Sequence, residues 1–220
     1  MAASSIDRLD MQLQEYFDQL APTWDREFTP ERLKCLGEIV EGLAIKCADK
    51  VLDIGSGTGV LVPFLAAKLG TEGKIVGLDF SMEMLVRAQA KEFPPFVGFA
   101  RADILAIPVA DNCVDLAIAN SAFPHFGDQE KALKEIARVL RTNGRLIICH
   151  TMSREMLNRL HQSIGGAVAN DLLPDEFEVR RLVERARLQM THFEDGPERY
   201  LVIAEKSARY RSTDNCLPLS

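Results

Sequence analysis

Cysteine is scarce in this chain and carries no pattern. Cys35, Cys47, Cys113, Cys149 and Cys216 are odd in number, and no two of them make a C-x-x-C pair. That spacing argues against a disulfide framework or a zinc knuckle and leaves small core-type thiols in a reducing compartment. Long apolar runs are missing as well. No uninterrupted stretch is long enough to span a bilayer, and the amino-terminal MAASSIDRLDMQ, with Asp7 and Asp10 and no apolar centre, is not a secretory signal. A cytoplasmic protein with no membrane span is therefore expected. There is no basic excess: 26 Lys and Arg face 32 Asp and Glu, a formal net charge of −6. The electrostatic footprint of a nucleic-acid-binding surface is absent, and no such partner is expected. Neither an internal repeat nor a low-complexity run interrupts the chain. What remains, 220 residues at 47% hydrophobic and 26% charged, suits one α/β domain with a full sheet core.

One stretch organises the rest: Lys50 to Val60, KVLDIGSGTGV. Val51, Leu52 and Ile54, broken only by Asp53, read as a short buried strand. Gly55, Gly57 and Gly59 turn the chain, and Leu61 to Lys68 carries apolar residues at helical spacing. Strand, glycine turn and helix open an α/β nucleotide-binding unit, with a ligand at the helix's amino end. A dinucleotide fingerprint, G-x-G-x-x-G, needs its third glycine at position 60. That residue is Val60, and the pattern is G-x-G-x-G. A second buried strand, Lys74 to Asp79, ends in an acid twenty positions past Gly59, where a carboxylate can accept both hydroxyls of a ribose. Ser81 caps the next helix, with Met84, Leu85 and Ala88 inward. Asp79 as a mere helix cap is the plainer alternative.

The remaining elements follow from periodicity. Leu9 to Leu20 is an amphipathic helix with Leu9, Leu13, Phe17 and Leu20 on one face, stopped by Ala21-Pro22. A second helix runs from Pro30 to Gly42 and buries Leu33, Leu36, Ile39 and Val40. Phe96 to Ala100 and Val114 to Asn120 are strands three and four. A helix from Asp128 to Leu140 ends around Arg141-Thr142-Asn143-Gly144, residues that tolerate left-handed backbone, and Arg145 to His150 is strand five. Pro174 to Leu188 holds another helix, and Gln189 to Glu194 with Tyr200 to Glu205 read as a closing hairpin.

Two hydrophobic residues followed by Asp53-Ile54-Gly55-Ser56-Gly57-Thr58-Gly59, and then Gly77-Leu78-Asp79-Phe80-Ser81-Met82, resemble the first two motifs of class I S-adenosylmethionine-dependent methyltransferases. The order of the later segments is most similar to the type 11 small-molecule group, which includes the quinone C-methyltransferases. The resemblance spans Tyr16 to Lys206 and departs at Thr142-Asn143-Gly144, where that family usually has Pro-Gly-Gly. It implies an α/β fold: a doubly wound, mostly parallel, seven-stranded sheet of order 3-2-1-4-5-7-6 with an antiparallel last strand. It also implies a single methyltransferase domain over 1–206, with a helical lid region over 1–46 and a Rossmann-like core over 47–206; residues 207–220 lose periodicity and are expected to form a flexible tail.

The resemblance further implies S-adenosyl-L-methionine as cofactor. Asp53, Gly55, Ser56, Gly57, Thr58 and Gly59 would surround its methionine end, and Asp79, Phe80, Ser81 and Met82 its ribose. Asp103 and the Ile104 backbone would meet the adenine, which needs one acceptor and one N–H donor. Asn120 and Ser121 complete the set where strand four ends. Nucleic-acid and protein-amide N-methyltransferases carry an Asn/Asp-Pro-Pro-aromatic run at that point. This chain has Asn120-Ser121-Ala122-Phe123-Pro124 instead, so the expected partner is a small-molecule acceptor.

For the acceptor, His125 in the loop after strand four is the expected catalytic residue, as a base or a substrate hydrogen-bond partner. A histidine packed between Phe123 and Phe126 is the bland alternative. Behind it stand His150, Arg154 and His161; with Ser153 as cap, Arg154, Asn158 and His161 share one helix face. Tyr16 and Trp24 in the leading segment are lid candidates, or core aromatics. No His-x-x-x-His or cysteine pair supports a metal, so none is expected. Two other functional classes stay open: a regulatory module that binds the cofactor without transferring methyl, and an NAD-linked dehydrogenase, which Val60 and the closing hairpin count against.

Overall fold

A computed structural model describes residues 5–208, with side chains from residue 11 onward. The expected tail past 208 and the inward side of Leu9 lie outside the described residues. Among the described residues, seven strands form one sheet of order β3-β2-β1-β4-β5-β7-β6. They are β1 (Lys50–Ile54), β2 (Lys74–Asp79), β3 (Val97–Arg101), β4 (Val114–Asn120), β5 (Leu140–His150), β6 (Gln189–Asp195) and β7 (Tyr200–Glu205). β1 to β5 pair in parallel, and β7 runs antiparallel to both β5 and β6. This is the mixed sheet that the resemblance implies.

Parallel strands buried on both faces need apolar residues at odd and even positions alike. In β4, Leu116 and Ile118 point to one core while Ala117 and Ala119 point to the other; in β5, Ile147 and Cys149 oppose Leu146 and Ile148. One face is covered by α2 (Pro30–Gly42) and α3 (Val62–Lys68) through Leu36, Ile39, Val62 and Leu65. The other is covered by α5 (Gln129–Val139) and α7 (Glu176–Arg185) through Leu133, Ile136, Val179 and Val183. A third, smaller cluster joins α1 (Ser5–Leu20) to α4 (Met82–Gln89): Phe17, Ala21 and Met84, flanked by Trp24 and Phe80. The remaining helix, α6 (Arg154–Ile164), follows β5.

Ser81 and Ser153 cap their helices as expected. Ser81, Asp128 and Ser153 each accept a hydrogen bond from the backbone N–H three residues on, and Pro30 occupies the first turn of α2. Several boundaries differ from the periodicity. Leu61 precedes α3 as its cap residue, β3 begins at Val97, and Leu33 is only half-buried. The largest correction is at β5, which starts at Leu140 and takes in Arg141 to Gly144. There the Lys206 N–H donates to Gly144 O and the Asn143 N–H to Lys206 O, so the far end of the chain turns an expected loop into strand. The local signal was half right: Asn143 has φ of 62°, and pairing with β4 shifts register between Val114 and Leu116.

Candidate active site

Strand order reverses between β1 and β4, the point at which open α/β sheets hold ligands at their carboxyl edge. A cavity of about 500 Å³ opens there, walled by the ends of β1, β2 and β4, the segment after β3, and α1. The glycine turn shapes its floor. Gly55, Gly57 and Gly59 have φ of 65°, 53° and 78°, the left-handed region that glycine enters without penalty. At Gly55 close approach adds a second demand, because a Cβ there would lie 2.5 Å from that of Ala122.

Asp79 is the polar centre of this floor. Its Oδ2 accepts from the Gly57 N–H and its Oδ1 from the Ser81 N–H, each at 2.8 Å, so one carboxylate pins the glycine turn to the start of α4. Burial raises its pKa, and the backbone donors oppose that shift. Asp53, 1% exposed, stands behind it, and among the described residues its Oδ2 and the Ser56 Oγ have no hydrogen-bond partner. Burial, and then the charge of Asp79, push Asp53 up to about 8.

A pH prediction follows from Asp53. The unfolded chain loses this proton near the ordinary value of 3.8, whereas the folded protein keeps it until about 8. The group's contribution to stability is therefore full below about pH 4 and is lost as pH rises through that window. Asp53→Asn, which cannot ionise, should match wild type at pH 4 and exceed it by at least about 1 kcal/mol at pH 8 in the ligand-free protein. Urea unfolding at both pH values measures this; equal differences at the two would contradict the assignment.

Of the residues expected around a cofactor, Asp53, Gly55, Ser56, Gly57, Asp79, Phe80, Asp103, Ile104, Asn120 and Ser121 line the cavity. Asp103 accepts from the Leu105 N–H at 2.8 Å, which braces the loop after β3. Thr58, Gly59, Ser81 and Met82 stand elsewhere. Thr58 Oγ1 donates to Asp25 on the 3₁₀ turn Trp24–Glu27, and the open side of Gly59 is filled by the Phe93 and Phe99 rings. Ser81 Oγ donates to Asp18 of α1 at 2.5 Å, and Met82 points outward. Thr58 and Ser81 thus tie the leading segment to the core.

The expected acceptor residues separate in a similar way. His125 and Trp24 line the cavity; Tyr16, His150, Arg154 and His161 do not. Tyr16 packs edge-on against Phe17, and Phe17 is the residue that faces inward. His150 is buried against Tyr200 with its Nε2 unpartnered; burial, with His125, His161 and Arg32 nearby, pushes it down to about 3. Arg154 turns away to Asp195 at 3.0 Å, and Asn158 is occupied by the Leu173 backbone. The three histidines do approach one another, yet among the described residues no group of three or more His, Cys, Asp or Glu is arranged to hold a metal. Sequence reasoning missed Phe28 and Arg101 as wall residues, and Asp171 as the partner of His125.

A family profile described as a methyltransferase domain matches residues 45–187, well over half of the chain and including the glycine turn, Asp79, Asp103 and His125. The chain belongs to this methyltransferase family. Among curated relatives it is 37% identical over 113 residues to a ubiquinone/menaquinone biosynthesis C-methyltransferase of Bdellovibrio bacteriovorus, covering 50% of this chain and 48% of that one. It is 34% identical over 137 residues to a demethylmenaquinone methyltransferase of Corynebacterium kroppenstedtii, covering 57% and 56%. The chain thus spans about half the length of the curated relatives it matches. A SAM-dependent methyltransferase of Aquifex aeolicus superposes with a TM-score of 0.70 at 24% identity, over 84% of this chain and 97% of that one, and shares its fold. The methyltransferase domain has no helix, among the described residues, long and apolar enough to cross a membrane.

Proposed function

We propose that this methyltransferase domain, a single unit over 1–206, binds S-adenosyl-L-methionine and transfers its methyl group to a small-molecule acceptor. The observation that carries the reading is the polar floor at the switch point: Asp79 fixed by two backbone N–H groups beside the unpartnered Asp53 Oδ2 and Ser56 Oγ. Buried polar atoms without partners are costly, and ones that line a cavity suit a ligand with its own donors. The ammonium and hydroxyl groups of an amino-acid nucleoside are such donors, so the residues present fit the group. Asp79 would accept the ribose hydroxyls, Asp103 with the Ile104 N–H would meet the adenine, and Asp53 and Ser56 would lie toward the amino-acid end.

The cofactor, when bound, supplies a methyl group already activated on a sulfonium. The chain's own task is then to align the acceptor and keep water out, which accounts for much of the rate gain in such reactions. Phe17, Trp24 and Phe28 wall the cavity from the leading segment. Asp18 and Asp25 tie that segment to Ser81 and Thr58, which supports residues 1–46 as a lid. The names of the relatives, with these aromatic walls, make a quinone-type ring the first acceptor to try.

Calorimetry with S-adenosylmethionine, its demethylated product and NAD tests the cofactor, and labelled methyl donor with reduced naphthoquinones tests transfer. We expect both adenosyl compounds to bind, NAD not to bind, and label to appear in the quinol. Preferential NAD binding would overturn the reading. Tight adenosyl binding with no labelled product from any acceptor or cell extract would leave a regulatory module.

A further inference from the structure

His125 ends the 3₁₀ turn Phe123–His125 that leaves β4, and Asp171 follows α6 by way of the turn Gly166–Val168. Though 46 residues apart, they meet: His125 Nδ1 lies 2.7 Å from Asp171 Oδ2, with the two side chains 10% and 21% exposed. A carboxylate oxygen accepts, so Nδ1 carries the hydrogen and the Nε2 lone pair is the one left for a ligand. His161 from α6 donates through its own Nδ1 to the Asp171 backbone carbonyl and stacks beside His125, ring centres 5.0 Å apart and tilted by 40°. Phe17 from the lid meets the same ring edge-on at 4.9 Å. The imidazole in the cavity wall is thus held on three sides, in one tautomer.

A histidine needed only for packing requires no carboxylate to set its tautomer. We propose that His125 is a general base positioned by Asp171, and that the acceptor is accordingly one whose nucleophile must shed a proton: a hydroxylated aromatic ring. This rests on the methyl-transfer reading above. Phe17, Trp24, Phe28 and Phe126 in the cavity wall suit a flat ring.

In the step, the acceptor hydroxyl gives its proton to His125 Nε2, and the freed electron pair, at oxygen or delocalised to the adjacent ring carbon, forms the bond to the methyl carbon. The electrons of the broken carbon–sulfur bond remain on sulfur as a neutral thioether. The positive charge of the sulfonium reappears as imidazolium, which Asp171 stabilises, and that proton later leaves to solvent. If carbon is methylated, the ring hydrogen departs as aromaticity returns and the oxygen regains a proton, so one proton is released overall in either case. Asp171 is a positioning residue; His125 touches the acceptor.

The test uses the full chain with reduced 1,4-naphthoquinone and a nitro-substituted hydroxyaromatic that is already ionised at neutral pH. His125→Ala and Asp171→Ala should each cut kcat on the quinol roughly 100-fold, the scale of a lost general base. Cofactor affinity should stay within about 2-fold. Asp171→Asn keeps an oxygen on Nδ1 without the charge, so it should recover part of the loss; the loss on the pre-ionised acceptor should be several-fold smaller. Near-normal kcat in either alanine variant, or equal losses on both acceptors, overturns the assignment. So does a wild-type protein that binds the cofactor but methylates no hydroxyaromatic compound. Failure of wild type to bind the cofactor at all instead overturns the reading on which this one rests. Should Asp171→Ala not fold, the comparison of Asp171→Asn with wild type decides, since a merely structural link would leave the acceptor dependence unchanged.

Discussion

Asp79→Ala should raise the dissociation constant for S-adenosylmethionine at least 100-fold by calorimetry. Two effects add. A carboxylate accepting a sugar hydroxyl makes charge-assisted hydrogen bonds worth roughly 1.5–3 kcal/mol each, and a ribose offers two hydroxyls, so a loss of about 3 kcal/mol or more is expected. The carboxylate also holds Gly57 and Ser81 by their N–H groups. Its removal leaves both donors without that partner and frees the glycine turn to move. Asp79→Asn separates the two effects: it keeps an oxygen for one of the N–H groups and should fall between wild type and alanine in thermal stability while binding almost as poorly. Affinity within about 3-fold of wild type in the alanine variant would remove the ribose assignment and, with it, most of the case for the cofactor.

Gly55→Ala should unfold the protein at a markedly lower temperature. Backbone at φ of 65° costs a residue with a Cβ about 1–2 kcal/mol. The added methyl also meets the Ala122 Cβ at 2.5 Å, and such overpacking typically costs about 1–3 kcal/mol. The combined loss, about 2–5 kcal/mol, corresponds to a fall in Tm of roughly 4–20 °C for a chain of this size. The double variant with Ala122→Gly isolates the steric part. With that methyl gone, the nearest remaining neighbour, the Ala122 Cα, stands 3.8 Å away, an ordinary contact. About half of the lost stability should return, and none should return if the cost is backbone strain alone. Because Gly55 and Ala122 both line the cavity, cofactor affinity should fall in the single variant beyond what the lost stability explains.

Much of this arrangement was legible before any coordinates. Strand, glycine turn and helix declare themselves through short-range steric rules, and the β2 end at Asp79 through the spacing of an acid after a buried run. Caps at Ser81 and Ser153 were equally readable, because a cap bonds within three residues of itself. What the sequence did not show were partners far along the chain. Thr58 sits inside the glycine motif yet bonds to Asp25 of the leading segment; Arg154, read as one of a polar face with His161, is taken by Asp195 across from it. Residues 141 to 144 look like a turn locally and become strand because Lys206 pairs with them.

The local pattern of the sequence therefore determined the strand–turn–helix unit and the floor of the cavity, since each depends on backbone conformation within a few residues. Which aromatic of the leading helix faces inward, which histidine reaches the cavity, and what orients it were decided only when the α6 segment, the leading segment and the end of β4 came together. Such contacts join residues dozens of positions apart, and no spacing rule along the chain encodes them.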